Sequence, residues 1–437
     1  MTTWVKYCVI VASVVGVLAA CSTGSGDQQG SSPPDSGEET NSGGTAESSA
    51  AAAGGEGSQT DFEDPELPDE HQGQSPPGRA AAEFETDFSR AAVSYDEIVS
   101  GGPPKDGIPA IDEPDFVEPA DADEWLEDDE SVLVVETGES GETGDTEARI
   151  YPLQILMWHE IVNDVVGGKP VTVTYCPLCN TGLAFDRRFD GRTLDFGTTG
   201  RLRHSNLIMY DRQTESWWQQ ATGRGIAGAY AGARLDMIPM LTLSWGDARE
   251  QFSEAPVLSR NTGYNRSYGR NPYAGYDTSN EPFLFRGDTD DEFSALTRVI
   301  TVFHDGTAEA VPYPTLETER AVTISPAGEE IVVLWEPGTA SPLDDGQVAG
   351  GRDVGTANAF FARAEGRSLD FHAEGGQSGG GQTEGGQTGR IVDEQTGSTW
   401  DASGKAVSGP LEGTRLEPVA TSQHFWFSWS AFEEESR

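Results

Sequence analysis

Two cysteines three positions apart, Cys176 and Cys179 in "VTVTYCPLCNTGLAFDRR", carry the strongest chemical signal in this chain. At that spacing two thiols can grip one soft cation, exchange electrons as a dithiol–disulfide couple, or close a structural disulfide. A bridge across so short a loop returns only about 2 kcal/mol of chain entropy. Two thiolates supply half of a tetrahedral zinc shell, and His159 and His204 are the candidates to complete it; copper(I) is satisfied by two or three soft ligands. A redox pair needs one activated thiol. The stretch after Cys179, "NTGLAFDRRFDG", reads as turn and strand, so the helix N-terminus that activates a thioredoxin-type thiol is not evident. All three chemistries stay open.

The remaining cysteines belong to targeting. "MTTWVKYCVIVASVVGVLAAC" has one Lys6 and a short apolar run ending in Leu18-Ala19-Ala20-Cys21, the pattern of a lipoprotein signal over residues 1–21. Cys21 is then the lipidated N-terminus of the mature chain, which is expected outside the cytoplasm and tethered to the cell membrane. Any thiol chemistry of the mature protein falls to Cys176 and Cys179.

Charge narrows the partners. Asp and Glu number 73 against 28 Lys and Arg, a net charge of -45 spread along the chain. Such a field disfavours nucleic acid and destabilises a compact fold by self-repulsion, unless salt screens it. A halophilic setting, where the Debye length is about 3 Å at 1 M salt, fits that balance.

The elements that must hold the cysteines are organised around internal similarity. "DGRTLDF" returns as "EGRSLDF", and "YDRQTESWWQQATGRGIAGAYAGARLDMIP" as "VDEQTGSTWDASGKAVSGPLEGTRLEPVA", in the same order. The expectation is two tandem β-rich units, residues 131–252 and 298–432, packed as one body in a mainly β (α+β) fold. The first carries an amphipathic helix over "YPLQILMWHEIVNDVVGG". Residues 22–82 read as a disordered acidic tether, 83–130 as an extended lead-in, and 374–389 as a Gly/Gln-rich insertion. Residues 253–297 form a Tyr-rich connector, with Tyr264, Tyr268, Tyr273 and Tyr276 expected to pack on both units or to offer a stacking surface.

Duplication separates scaffold from site. Counted from Tyr151 and Tyr313, His159 falls opposite Ala321, and neither the CPLC pair nor His204 has a counterpart. Function is therefore placed in the first unit. The leading reading is a thiol-based copper or zinc site. The alternatives are a thiol–disulfide oxidoreductase acting on a thiol partner, and a structural surface module with a disulfide. Catalytic signatures such as GxSxG, HExxH or a phosphate-binding glycine loop do not occur.

The segments "RIYPLQILMWHEIVNDVVGGKPVTVTYCPLCNTGLAFDRRFDGRTLDFGTTG" and "NLIMYDRQTESWWQQATGRGIAG" resemble the exported family of unknown function numbered 3179, from about Ser100 to the end. That resemblance implies a CPxC segment and an exported setting. It implies no activity.

Overall fold

Short runs of Val, Ile, Thr and aromatic residues bounded by Gly, Asn and Pro favour pleated strands, and the fold is mainly β, 39% strand against 16% helix. The structure is a computed structural model that describes Phe62 and residues 65–138, 146–279, 281–287, 292–375 and 389–436. The expected signal 1–21 with its Cys21, most of the expected tether, and the centre of the 374–389 insertion lie outside the described residues.

The first half opens with a hairpin, Ser131–Thr137 and Glu147–Pro152, followed by the helix Leu153–His159. Ile161–Val166, Lys169–Cys176 and Thr181–Asp186 then form one meander, and Phe196–Arg203, Asn206–Asp211, Trp217–Gln219 and Arg224–Ala227 another. Met240–Ser244 returns beside Ser131–Thr137 and leads into the helix Trp245–Gln251. From Arg298 onward the order is hairpin, helix Tyr313–Glu319, two meanders, then Ala420–Phe425 returning beside Arg298–His304 before the helix Trp426–Ser436. Local chemistry corresponds as well. The Trp218 and Trp400 indoles donate to Asp211 and Asp393, each at 2.9 Å.

The halves share an interior. Val132, Ile150 and Trp245 pack in one cluster with Val332, Phe360 and Trp400. Thr242 and Asn358 exchange two hydrogen bonds at 2.9 Å each, from the Thr242 amide and back to its carbonyl.

Three sequence expectations are corrected. The helix does not run to Gly167-Gly168. It stops at His159, Glu160 turns left-handed at φ 59°, and Ile161–Val166 is a strand. β-Branched residues dominate that stretch, and Gly167 and Gly168, at φ 54° and 77°, make the tight turn into Lys169–Cys176. The second correction is register. Arg320 ends its helix at φ 62° as Glu160 does, and the two carbonyls accept the Trp335 and Tyr175 amides at 2.8 Å. By helix ends, the residue placed, as His159 is, before the positive-φ turn is Glu319, not Ala321. Third, the expected disordered tether is ordered from residue 65. Ala80 is fully buried, and Gln72 and Gln74 donate to the Ala91 and Val93 carbonyls at 2.8 and 3.1 Å. Polar side chains anchor this segment where apolar ones are scarce, so low hydropathy did not reveal it.

The lead-in also stores a pH response. Glu130 is 3% exposed and accepts from Gln154 at 2.7 Å; burial pushes its carboxyl up to about 7. A carboxyl raised on folding contributes its full stability below its unfolded value near 4.5 and loses it as pH rises through about 7. Glu130→Gln is therefore expected to flatten the decline of stability between those pH values by up to about 3 kcal/mol. Denaturant titrations of both forms at pH 4.5 and 8 check this, and parallel curves would refute it.

Candidate functional site

The CPLC segment is the tip of a hairpin. Cys176 and Thr181 are the last paired residues of Lys169–Cys176 and Thr181–Asp186, leaving Pro177 to Asn180 as the turn. Pro177 presets the φ that the turn needs, and Asn180 takes the left-handed position at φ 53°. The Cys179 amide donates to the Cys176 carbonyl at 3.3 Å, and the Tyr175 hydroxyl donates to Asn180 Oδ1 at 3.1 Å. This local geometry brings the two sulfurs side by side as unbridged, buried thiols, 1% and 0% exposed.

Cys176 Sγ lies beside the Cys179 side chain, and the backbone of Leu207 and Cys179 favours its ionised form. Its thiol also lies 3.8 Å from the Ser205 carbonyl. Burial, then the neighbouring sulfur, pushes the Cys176 thiol well above its ordinary value. Glu160 lies within electrostatic reach of Cys176, and burial raises its carboxyl well above normal too. The surroundings of the sulfurs are apolar, with Leu183, Leu207, Trp218, Phe425 and Phe427 in the same buried cluster.

The connector covers this cluster. The Tyr276 hydroxyl donates to the Leu178 carbonyl at 2.8 Å, and its ring meets Phe425 at 6.0 Å. The next residue, Asp277, has a fully buried side chain and pairs with Arg298 and Arg352, each at 3.0 Å. The second half closes the other edge, where the Phe425 amide donates to the Cys179 carbonyl at 2.9 Å.

The two candidate histidines sit apart from the thiol pair in their bonding. His159 Nδ1 donates to the Pro109 carbonyl at 2.7 Å, and the Tyr268 hydroxyl donates to Nε2 at 2.7 Å, so both ring nitrogens are committed. Burial lowers the proton affinity of His159 and keeps the imidazole neutral. His204 occupies the left-handed turn after Arg203 at φ 49°, with Nε2 at 3.3 Å from Glu97 and its ring on Phe432. Among the described residues no group of three or more His, Cys, Asp or Glu side chains is gathered for metal ligation.

Sequence reasoning missed several neighbours of the turn. Thr181 bonds His424 Nδ1 at 2.9 Å, and the buried His424 Nε2 has no partner among the described residues. Burial depresses His424 to about 3. Gln220 donates to Thr174 at 2.9 Å and to the Thr181 carbonyl at 3.1 Å, bracing the hairpin from "WWQQ". Glu160 adjoins His159 in sequence, but nothing in one sequence signals that its backbone turns left-handed.

Fold and site together define a mainly β protein built around a buried dithiol hairpin. The chain matches the family model described as "Protein of unknown function (DUF3179)" over residues 105–436, and it belongs to that family. No curated protein and no solved structure matches it.

Proposed function

We propose that the protein is a lipid-tethered, extracytoplasmic protein whose Cys176–Cys179 hairpin binds a soft metal ion. The observation that carries this reading is the pair of buried, unbridged thiols held at the tip of one hairpin, where the backbone of Leu207 and Cys179 favours ionised Cys176. Amide donors favour a thiolate once a cation replaces the proton. Copper(I) suits the site better than zinc, because two sulfurs satisfy it while His159 and His204 are bonded elsewhere. The likeness of the two halves supports treating them as copies, of which the first acquired the thiols. Tethering rests on the apolar run before Cys21; no helix among the described residues is long and apolar enough to cross a membrane.

Protein purified under reducing conditions is expected to bind one copper(I) per chain and to lose it in Cys176→Ser. Binding releases thiol protons, so affinity is expected to weaken as pH falls. Metal quantification and a competitive chelator titration check both points. No bound metal in the wild type, or unchanged affinity in Cys176→Ser, would sink the reading.

The second reading is a dithiol–disulfide couple, favoured by the same adjacency. Burial and the raised Cys176 thiol oppose it, because exchange needs an accessible thiolate. Turnover of a dithiol substrate would support this alternative over metal binding.

A further inference from the structure

A concavity opens where the lead-in meets the connector. Asp106, Pro109, Asp112, Arg212, Tyr264 and Arg266 line a cleft of about 350 Å³, at the small end of the usual range for small-molecule sites. Most of its charged groups are committed. Arg212 pairs with Asp112 at 2.5 Å, and Asp112 also accepts from Asn163 at 2.8 Å. Asp106 accepts the Tyr210 hydroxyl through Oδ2 at 2.5 Å, while its Oδ1 is buried without a partner among the described residues.

Arg266 differs. Among the described residues its guanidinium makes no ion pair or hydrogen bond, and its Nε is buried without an acceptor. A guanidinium presents a planar fork that matches a carboxylate in two parallel hydrogen bonds.

The remaining wall is aromatic. The Tyr264 side chain is 47% exposed, and its ring lies 5.5 Å from that of His159. His159 has both nitrogens spent on Pro109 and Tyr268, so it braces the wall and does not compete for a ligand. The cleft thus combines one free anion-binding fork with one exposed ring.

We propose that this cleft binds a small organic acid, its carboxylate held by the Arg266 guanidinium and its apolar body against Tyr264. The site is independent of the thiols, and its occupant is chemically distinct from a metal ion.

The test is calorimetric titration of the full chain with benzoate and with its neutral counterpart benzamide, in about 1 M sodium chloride to screen self-repulsion. Expected are saturable one-to-one binding of benzoate, roughly tenfold weaker binding in Arg266→Gln, and no binding of benzamide. Arg266→Gln removes no intramolecular bond, so its melting temperature is expected to match the wild type, which keeps loss of binding separate from loss of fold. Cys176→Ser is expected to bind benzoate normally, separating this site from the metal reading. Equal binding of benzoate and benzamide, unchanged binding in Arg266→Gln, or no saturation by roughly 10 mM benzoate would overturn the proposal.

Discussion

Trp218→Ala is expected to destabilise the protein by about 3–5 kcal/mol and to open Cys176 and Cys179 to a small alkylating reagent. Trp218 is fully buried in the cluster that contains both sulfurs. Its indole donates to Asp211 at 2.9 Å, and its ring packs on Phe189, Phe196 and Tyr230. Truncation leaves a large cavity and strips a buried carboxylate of one of its donors, which adds to the cavity cost. Trp400→Ala supplies the control. Trp400 makes the same 2.9 Å bond to Asp393, but its cluster holds no cysteine. A similar loss of stability is expected there, with thiol labelling unchanged under native conditions. Equal labelling of the two variants would show that Trp218 has no special part in walling the thiols.

Asp277→Ala is expected to cost about 3–5 kcal/mol, because it strands buried Arg298 without its partner. Arg298 is 7% exposed, and Asp277 holds it, Arg352 and Ser341 together across the start of the second half. The adjacent Tyr276 is the residue that caps Leu178, so the loss reaches the CPLC turn. Faster thiol labelling is therefore expected alongside the lower stability. The positive charges of Arg298 and Arg352 and the Ser341 hydrogen bond outweigh burial and hold the Asp277 carboxyl below its ordinary value. A carboxyl lowered on folding contributes stability above its unfolded value near 3.8 and loses it as pH falls through the folded value. Acid unfolding of the wild type should show that loss below about pH 4, and Asp277→Ala should lack it. Denaturation curves across pH 2–5 decide the matter, and identical acid profiles would refute the assignment.

The sequence was most legible where chemistry is local. The CPLC hairpin follows from a β-branched run, a proline and an Asn able to take positive φ, all within a few residues. The turn in "VDEQTGSTW" likewise forms with Gly397 at φ 71°. The helix–strand junction at Glu160 was not legible. Apolar residues at 155, 156, 161 and 162 satisfy a helical period as well as two separate elements.

By itself, the sequence determined a mainly β body, a CPxC hairpin, an acidic surface and membership of its family. Those properties depend on composition and on patterns spanning a few residues. Only the tertiary structure decided that His159 bonds Pro109 and Tyr268, that His204 faces Glu97, and that Glu160, Tyr276 and Phe425 surround the thiols. Tyr276 and Phe425 reach Cys179 across about 100 and 250 residues of chain, and they do so through packing and ion pairs that no local pattern encodes.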